Sequence, residues 1–295
     1  MIQFPTTAAT SACWMSISCP FPFYLALTVV VLTLRSSCVA AFCFPSRLSV
    51  RTSKSYIRSR QNSVVMSISP HIKGICFDMD GTLTNSDDLH FETYRDTLLK
   101  FAPEYNDGRP LERAFYDQKL SGSANEIIVP MLLPHWPQDR MEELWLAKEA
   151  LYRERSANIS PLPGVIRLLD WCTENKIGYV LVTNAPRVEC LHTLHSLKLK
   201  DRFHDSKIII GQEMARPKPF PDAYNEGLRR LGLAAKECIA FEDSFSGLAS
   251  AVAAGIPTVA VLTSRSEAEM IDRGAFMSVK DFDEPSLWAL LEAKN

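Results

Sequence analysis

A chain of 295 residues with 46% hydrophobic side chains can hold one large domain or two modest ones and carries ample apolar mass for a core. Its formal net charge of −2 hides an asymmetry, because no Asp or Glu precedes Asp78 while Arg35, Arg47, Arg51, Lys54, Arg58 and Arg60 all precede Met66. The remainder is acidic by about −8. That excludes a body that binds nucleic acid through a basic face, and fits a small anionic substrate met by local positive charge.

Residues 1–66 read as a targeting leader. The run FYLALTVVVLTL, from Phe23 to Leu34, is too short for the ~20 apolar residues of a membrane span but has the length of a signal-peptide core, so the mature protein is expected to hold no stable span. The small residues Val39, Ala40 and Ala41 suit cleavage before Phe42, and the following SRLSVRTSKSYIRSRQNSVV is rich in Ser and Arg and free of acid, as transit peptides are. A signal peptide followed by a transit peptide at an Ala-Phe junction resembles the bipartite leaders of algae whose plastids lie inside the secretory system. The expected location is therefore the plastid, with the leader removed. Translation from Met66 would instead leave the protein in the cytoplasm.

From Ile72 onward, short β-rich runs alternate with helix-length segments: IKGICFD, GYVLVTN, KIIIG, CIAFED and PTVAVLT. This spacing predicts an α/β fold with a doubly wound parallel sheet. The stretch 88–158, between the first two runs, is too long for one crossover helix and contains no strand pattern. It predicts an all-helical inserted cap, with the catalytic core formed by residues 67–87 and 159–295. In SDDLHFETYRDTLLKF, Ser86 and Asp87 are capping candidates, and Leu89, Tyr94, Leu98 and Phe101 form an apolar stripe. MEELWLAKEALYRERSAN predicts a further helix, ended near Ser160–Gly164. The connections Asn85–Asp87 and Ile159–Pro163 are the expected hinges. Cys76, Cys172, Cys190 and Cys238 form no C-x-x-C pair and read as buried structural thiols.

In such a sheet, ligands sit at the carboxyl ends of the strands, and there the chain places polar residues. In FDMDGTLTNS, Asp78 and Asp80 follow an apolar strand, two apart and so directed to the same side, and Gly81 permits a tight exit. Paired carboxylates can divide labour, one ionised as nucleophile and the other kept partly protonated by its neighbour as acid and base. In VLVTN, Thr183 ends a strand and Asn184 is expected to open the next helix, so that hydroxyl and amides hold a phosphoryl group. Lys218, between prolines in ARPKPFPDAY, suits neutralising a nucleophile and a phosphate oxygen together. Glu242 and Asp243, in IAFEDSFSG, offer hard oxygens to Mg²⁺. Each signal alone has a bland reading: solvated aspartates, a threonine cap, a surface lysine, a capping acid.

Together and in this order, the four segments resemble the four motifs of the haloacid dehalogenase superfamily. The helical insert after the first motif resembles the subfamily containing β-phosphoglucomutase, phosphoglycolate phosphatase and sugar phosphatases. The stretches LHF, VTNAP, PKP and FEDS-x-SG are similar to the plant broad-range sugar-phosphate phosphatases. The resemblance implies that Asp78 is the nucleophile forming an aspartyl-phosphate and Asp80 the acid and base. It also implies that Thr183, Asn184 and Lys218 hold the transferring group. Mg²⁺ would take Asp78, the Asp80 carbonyl and Asp243, with Glu242 in or near its shell. His90 matches a β-phosphoglucomutase histidine that helps position the acid, against the alternative of a half-buried helix histidine. Arg187 either reaches the substrate's far end or is a solvated arginine.

The substrate implied is a small phosphorylated metabolite, foremost a sugar phosphate. Alternatives are a phosphosugar mutase or a phosphoglycolate phosphatase. In the mutase pattern an arginine three residues after a cap glycine holds a second phosphate. Here LSGSANEI places Asn125 three residues after Gly122, which favours hydrolysis, unless Lys119 or Arg187 supplies the charge.

Overall fold

The computed structural model describes residues 72–293, so the leader reading lies outside the described residues. Six parallel strands form one sheet in the order β3-β2-β1-β4-β5-β6. They are β1 (Gly74–Phe77), β2 (Gly178–Thr183), β3 (Ile208–Ile210), β4 (Cys238–Glu242), β5 (Thr258–Val261) and β6 (Met277–Val279). The three-residue edge strand β6 has no counterpart in the sequence reading. Its Met277 and Ser278 are half-exposed, so it lacks the buried apolar run that marks the others.

Period-two alternation sorts the strand residues between the faces. Ile75, Phe77, Leu181, Ile239 and Phe241 point to one side, where helices α5 (Val165–Glu174), α6 (Arg187–Ser196) and α10 (Pro285–Leu291) pack. Cys76, Val180, Val182 and Ala240 point to the other, under α7 (Asp222–Leu231) and α8 (Phe245–Ala253). Cys76, Cys172, Cys190 and Cys238 are all buried and unpaired, as structural thiols should be. The first face is tied by an aromatic cluster. Phe77 stacks on Phe241 with centroids 5.5 Å apart, and Phe282 meets both edge-on.

Between β1 and β2 the chain inserts α1 (Asp87–Phe101), α2 (Arg113–Lys119), α3 (Asn125–Leu132) and α4 (Gln138–Arg155). The insert has its own apolar core of Tyr94, Leu98, Leu120, Ile128, Val129 and Leu144. Its two connections run side by side: Thr84 bridges both Asp80 and Pro161, and its hydroxyl donates to the Ser160 carbonyl at 2.8 Å. The outgoing connection ends at Ser86, because Asp87 is already helical. Neither expected cap holds the start of α1. The Ser86 hydroxyl turns to Asp80, and the Asp87 carboxylate accepts from Ser121 at 2.8 Å and from Arg113 at 2.8 Å. The remaining helix, α9 (Glu267–Asp272), packs beside β5 and β6 and starts with a capping box between Ser266 and Glu269.

The aromatic cluster makes the C-terminal segment part of the core. Phe282→Ala should therefore cost about 3–5 kcal/mol in urea denaturation, the range for deleting a buried aromatic ring. A loss under about 1 kcal/mol would show that Phe282 is not sealing this face.

Candidate active site

Each central strand delivers a charged group at its carboxyl end. Asp78 follows β1 and its amide continues the ladder to the Phe241 carbonyl at 3.1 Å; Glu242 ends β4, and Asp243 follows it. The Lys218 ammonium, itself 2% exposed, donates to Asp78 Oδ1 at 2.6 Å and to Glu242 Oε1 at 2.7 Å. Tyr224 donates its hydroxyl to the same Glu242 oxygen at 2.5 Å. The Ser264 hydroxyl donates to Asp243 Oδ2 at 2.9 Å. A Cβ on Gly81, which has φ +79°, would lie 2.0 Å from that oxygen, so the D-x-D-G turn needs its glycine to fit under Asp243.

Two carboxylates thus hold one ammonium, and a third, that of Asp243, stands beside them. Burial, reinforced by Glu242, pushes the Asp78 carboxyl up to about 8 in spite of Lys218. Burial and the facing Asp78 raise Asp243 well above the usual carboxylate range. Carboxylate oxygens of Asp78, Glu242 and Asp243 all lie within 4.8 Å of one another. A concentrated, under-neutralised set of hard oxygens fits a divalent cation.

Asp80 is handled differently. Its Oδ1 accepts from the Ser86 hydroxyl at 2.6 Å, the Tyr152 hydroxyl at 3.3 Å and His90 Nε2 at 3.1 Å. Lys148 Nζ stands 2.9 Å from His90 Nδ1 and has only protons to offer, which makes Nδ1 the acceptor and Nε2 the donor to Asp80. The His90 ring stacks on Tyr152 with centroids 4.2 Å apart. Burial alone would raise Asp80, but His90, Ser86 and Lys148 hold it below the usual range. This corrects the sequence expectation that the neighbour's charge keeps Asp80 partly protonated. Without a cation, Asp78 is the carboxyl forced upward, because Asp80's donors outweigh repulsion.

One pocket is lined by Asp78, Asp80, His90, Gly122, Asn125, Thr183, Asn184 and Asp243, together with Lys148 and Glu149. Lys218 and Glu242 do not line it; Lys218 bonds to Asp78 and links it to Glu242. Arg187 and Lys119 are not brought to it. The Arg187 guanidinium is held on the surface by Glu213, at 2.6 Å, and by Asp205; Lys119 is exposed on α2. Asn184 does not open a helix, because Ala185 and Pro186 intervene before α6. The Thr183 hydroxyl accepts from the Ala185 amide at 3.0 Å, and the Asn184 side chain donates to the Gly122 carbonyl at 3.1 Å and to the Lys218 carbonyl at 3.2 Å. Asn184 therefore clasps the insert to the loop carrying Lys218. Asn125 is also engaged, accepting from the Tyr94 hydroxyl and donating to Glu149 Oε1 at 2.9 Å.

Tyr152, Lys148, Glu149, Tyr224 and Ser264 escape the sequence reading, which gives Ser86 only as a capping candidate. One signal was available for Lys148. It falls on the buried stripe Met141, Leu144, Lys148, Tyr152 of α4, where a charge is out of pattern.

Comparison with known proteins agrees with this architecture. The profile of the haloacid dehalogenase-like hydrolase family matches residues 75–261. The phosphorylated carbohydrates phosphatase of Thermotoga maritima is 29% identical over 71% of this chain and 94% of its own length. Protein CbbY of Rhodobacter capsulatus is 31% identical over 64% of this chain and 84% of its own. Among solved structures, a Rhodobacter sphaeroides CbbY variant in complex with xylulose-(1,5)bisphosphate superposes with a TM-score of 0.64 at 23% identity, covering 75% of this chain and 99% of that one.

The raised Asp78 carboxyl has a thermodynamic consequence. Between its unfolded value of 3.8 and its folded value of about 8, the native state binds more protons than the unfolded one, so the stability of chelator-treated protein should fall as pH rises across that window. A divalent cation should offset the loss, raising Tm more at pH 8 than at pH 5. An equal rise at both pH values would refute the cluster's role in holding the ion.

Proposed function

Because the chain belongs to the haloacid dehalogenase-like hydrolases, we propose that its pocket is that of a Mg²⁺-dependent phosphatase of small phosphorylated metabolites, foremost sugar phosphates, acting through an aspartyl-phosphate. The observation that carries this reading is the Asp78 carboxylate, buried at a strand end, held by Lys218 at 2.6 Å and exposed only toward a pocket that also presents Asp80 and Thr183. The phosphatase names of the relatives point the same way.

Asp78, Asp243 and Glu242 would hold the cation with the Asp80 carbonyl, and when bound it supplies charge neutralisation between the nucleophile and the phosphoryl oxygens. The chain's own residues do the rest. An Asp78 oxygen attacks phosphorus while the bond to the leaving oxygen breaks, and that oxygen takes a proton from Asp80. Asp80 takes that proton from solvent as the phosphate dianion arrives beside it, since a second negative charge raises a carboxylate's proton affinity. Water then gives a proton back to Asp80 and attacks the same phosphorus, releasing inorganic phosphate and restoring Asp78. His90, fixed by Lys148 and Tyr152, aims Asp80 at the leaving oxygen. Lys218 and the Thr183 hydroxyl balance the charge on the transferring group.

Hydrolysis is favoured over mutase chemistry by Asn125. Its amide is neutral and already committed to Tyr94 and Glu149, so it is no substitute for the arginine that would retain a second phosphate. The leader supports plastid targeting, and a fluorescent fusion to residues 1–66 that stayed diffuse in the cytoplasm would refute it.

Asp78→Asn should lower phosphate release from sugar phosphates by well over ~100-fold, more than the loss of a single oxyanion donor costs. At pH 8 and above it should leave the cation-free Tm equal or higher, since there the variant removes a charge that burial and Glu242 disfavour. Excess chelator should abolish wild-type activity. With β-glucose 1-phosphate, a trace of glucose 1,6-bisphosphate and Mg²⁺, inorganic phosphate should outpace glucose 6-phosphate; the reverse would make the protein a mutase.

A further inference from the structure

The cap side of the pocket contains a charged pair that the reaction above leaves partly unused. Lys148 and Glu149, consecutive in α4, are both buried and both line the cavity. Lys148 donates to His90 Nδ1 and to Glu149 Oε1, each at 2.9 Å, and its ammonium lies 4.8 Å from the Tyr94 ring centroid. Asn125 Nδ2 donates to the same Glu149 oxygen at 2.9 Å, while Asn125 Oδ1 is taken by the Tyr94 hydroxyl. The protein's donors thus converge on Oε1. The other oxygen, Glu149 Oε2, is buried and has no partner.

An unpaired carboxylate oxygen inside a protein is costly and calls for a donor. Burial works to raise the Glu149 carboxyl, but Lys148, His90 and the Asn125 amide hold it below the usual range, so the charge persists at neutral pH. Lys148 is matched by Glu149 and Asn125 is neutral and occupied, so this wall presents no spare cation to a ligand.

We propose that Glu149 Oε2 accepts a hydrogen bond from a substrate hydroxyl remote from the scissile phosphate, so that the pocket selects polyhydroxylated monophosphates and rejects a second phosphate or a carboxylate at that end. The inference rests on the phosphatase reading and deepens it. A hydroxyl brings the missing proton at no charge cost. A distal anion would face a buried like charge, and a bare alkyl chain would leave the oxygen orphaned.

The test is kcat/KM, with Mg²⁺, for erythritol 4-phosphate, n-butyl phosphate and erythritol 1,4-bisphosphate, with p-nitrophenyl phosphate as an indicator of basic turnover. The wild type should prefer erythritol 4-phosphate to each of the other two aliphatic esters by at least ~10-fold, the scale of one charge-assisted hydrogen bond. Glu149→Gln can keep an acceptor toward Asn125 and Lys148 while turning the orphan position into a donor. It should narrow the preference over butyl phosphate and shift the monophosphate-to-bisphosphate ratio toward the bisphosphate by about 10-fold. Should the variant fail to fold by circular dichroism, the wild-type ratios alone decide. Phosphate release from all the esters with ratios near one would overturn the role of Glu149 and leave the phosphatase standing. No release from any of them, p-nitrophenyl phosphate included, would sink the phosphatase reading and this inference with it.

Discussion

The buried ammonium of Lys218 between Asp78 and Glu242 is the constraint around which the rest of the site is arranged. A parallel sheet brings strand ends together, and β1 and β4 are neighbours, so the residues just past them arrive within contact distance whatever their charge. Three carboxylates and one ammonium converge there, and burial, reinforced by the surplus negative charge, keeps Asp78 and Asp243 reluctant to ionise. Such a cluster stores destabilisation in the folded protein, and the fold tolerates it because Phe77, Phe241 and Phe282 close the sheet directly below. Tyr224 and Ser264 fix the two carboxylates of the β4 end in place, which removes reorganisation that the reaction would otherwise need.

Asp80 is the link between core and cap. It leaves the sheet two residues after the nucleophile, yet all of its side-chain partners come from the cap or the connection into it: Ser86, His90 and Tyr152. The chain continues the same relay through Lys148 to Glu149 and Asn125, which line the same pocket. The residue that handles the leaving group and the residues proposed to read the rest of the substrate are thus joined by one hydrogen-bonded path. Asn184 adds a clasp from the core side, holding the Gly122 carbonyl, and a Cβ on Gly122 would lie 2.3 Å from Ser244 Oγ. The cap glycine therefore lets the insert meet the β4 loop directly.

The sequence by itself determined the parallel sheet, the helical insert and the order of the four polar segments that follow the strands. These are local matters: a run such as GYVLVT is a short apolar stretch ending in a polar residue whatever surrounds it, and an apolar stripe at helical spacing marks α1 as a helix. Tertiary structure decided what those residues do with their polar atoms. Ser86 and Asp87 sit where caps belong, but Asp80, Arg113 and Ser121 offered stronger partners once the cap folded back. Arg187 lies next to a motif in sequence and is drawn away by Glu213 and Asp205 on other elements. Glu149 looks like a solvated charge on a helix and Lys148 shows only as a charge out of pattern, and the packing of α4 against α1 and α3 buries both. Hydrogen-bond partners more than a few turns apart, and the burial that sets a carboxyl's proton affinity, are properties of the assembled packing, and the linear order of residues does not contain them.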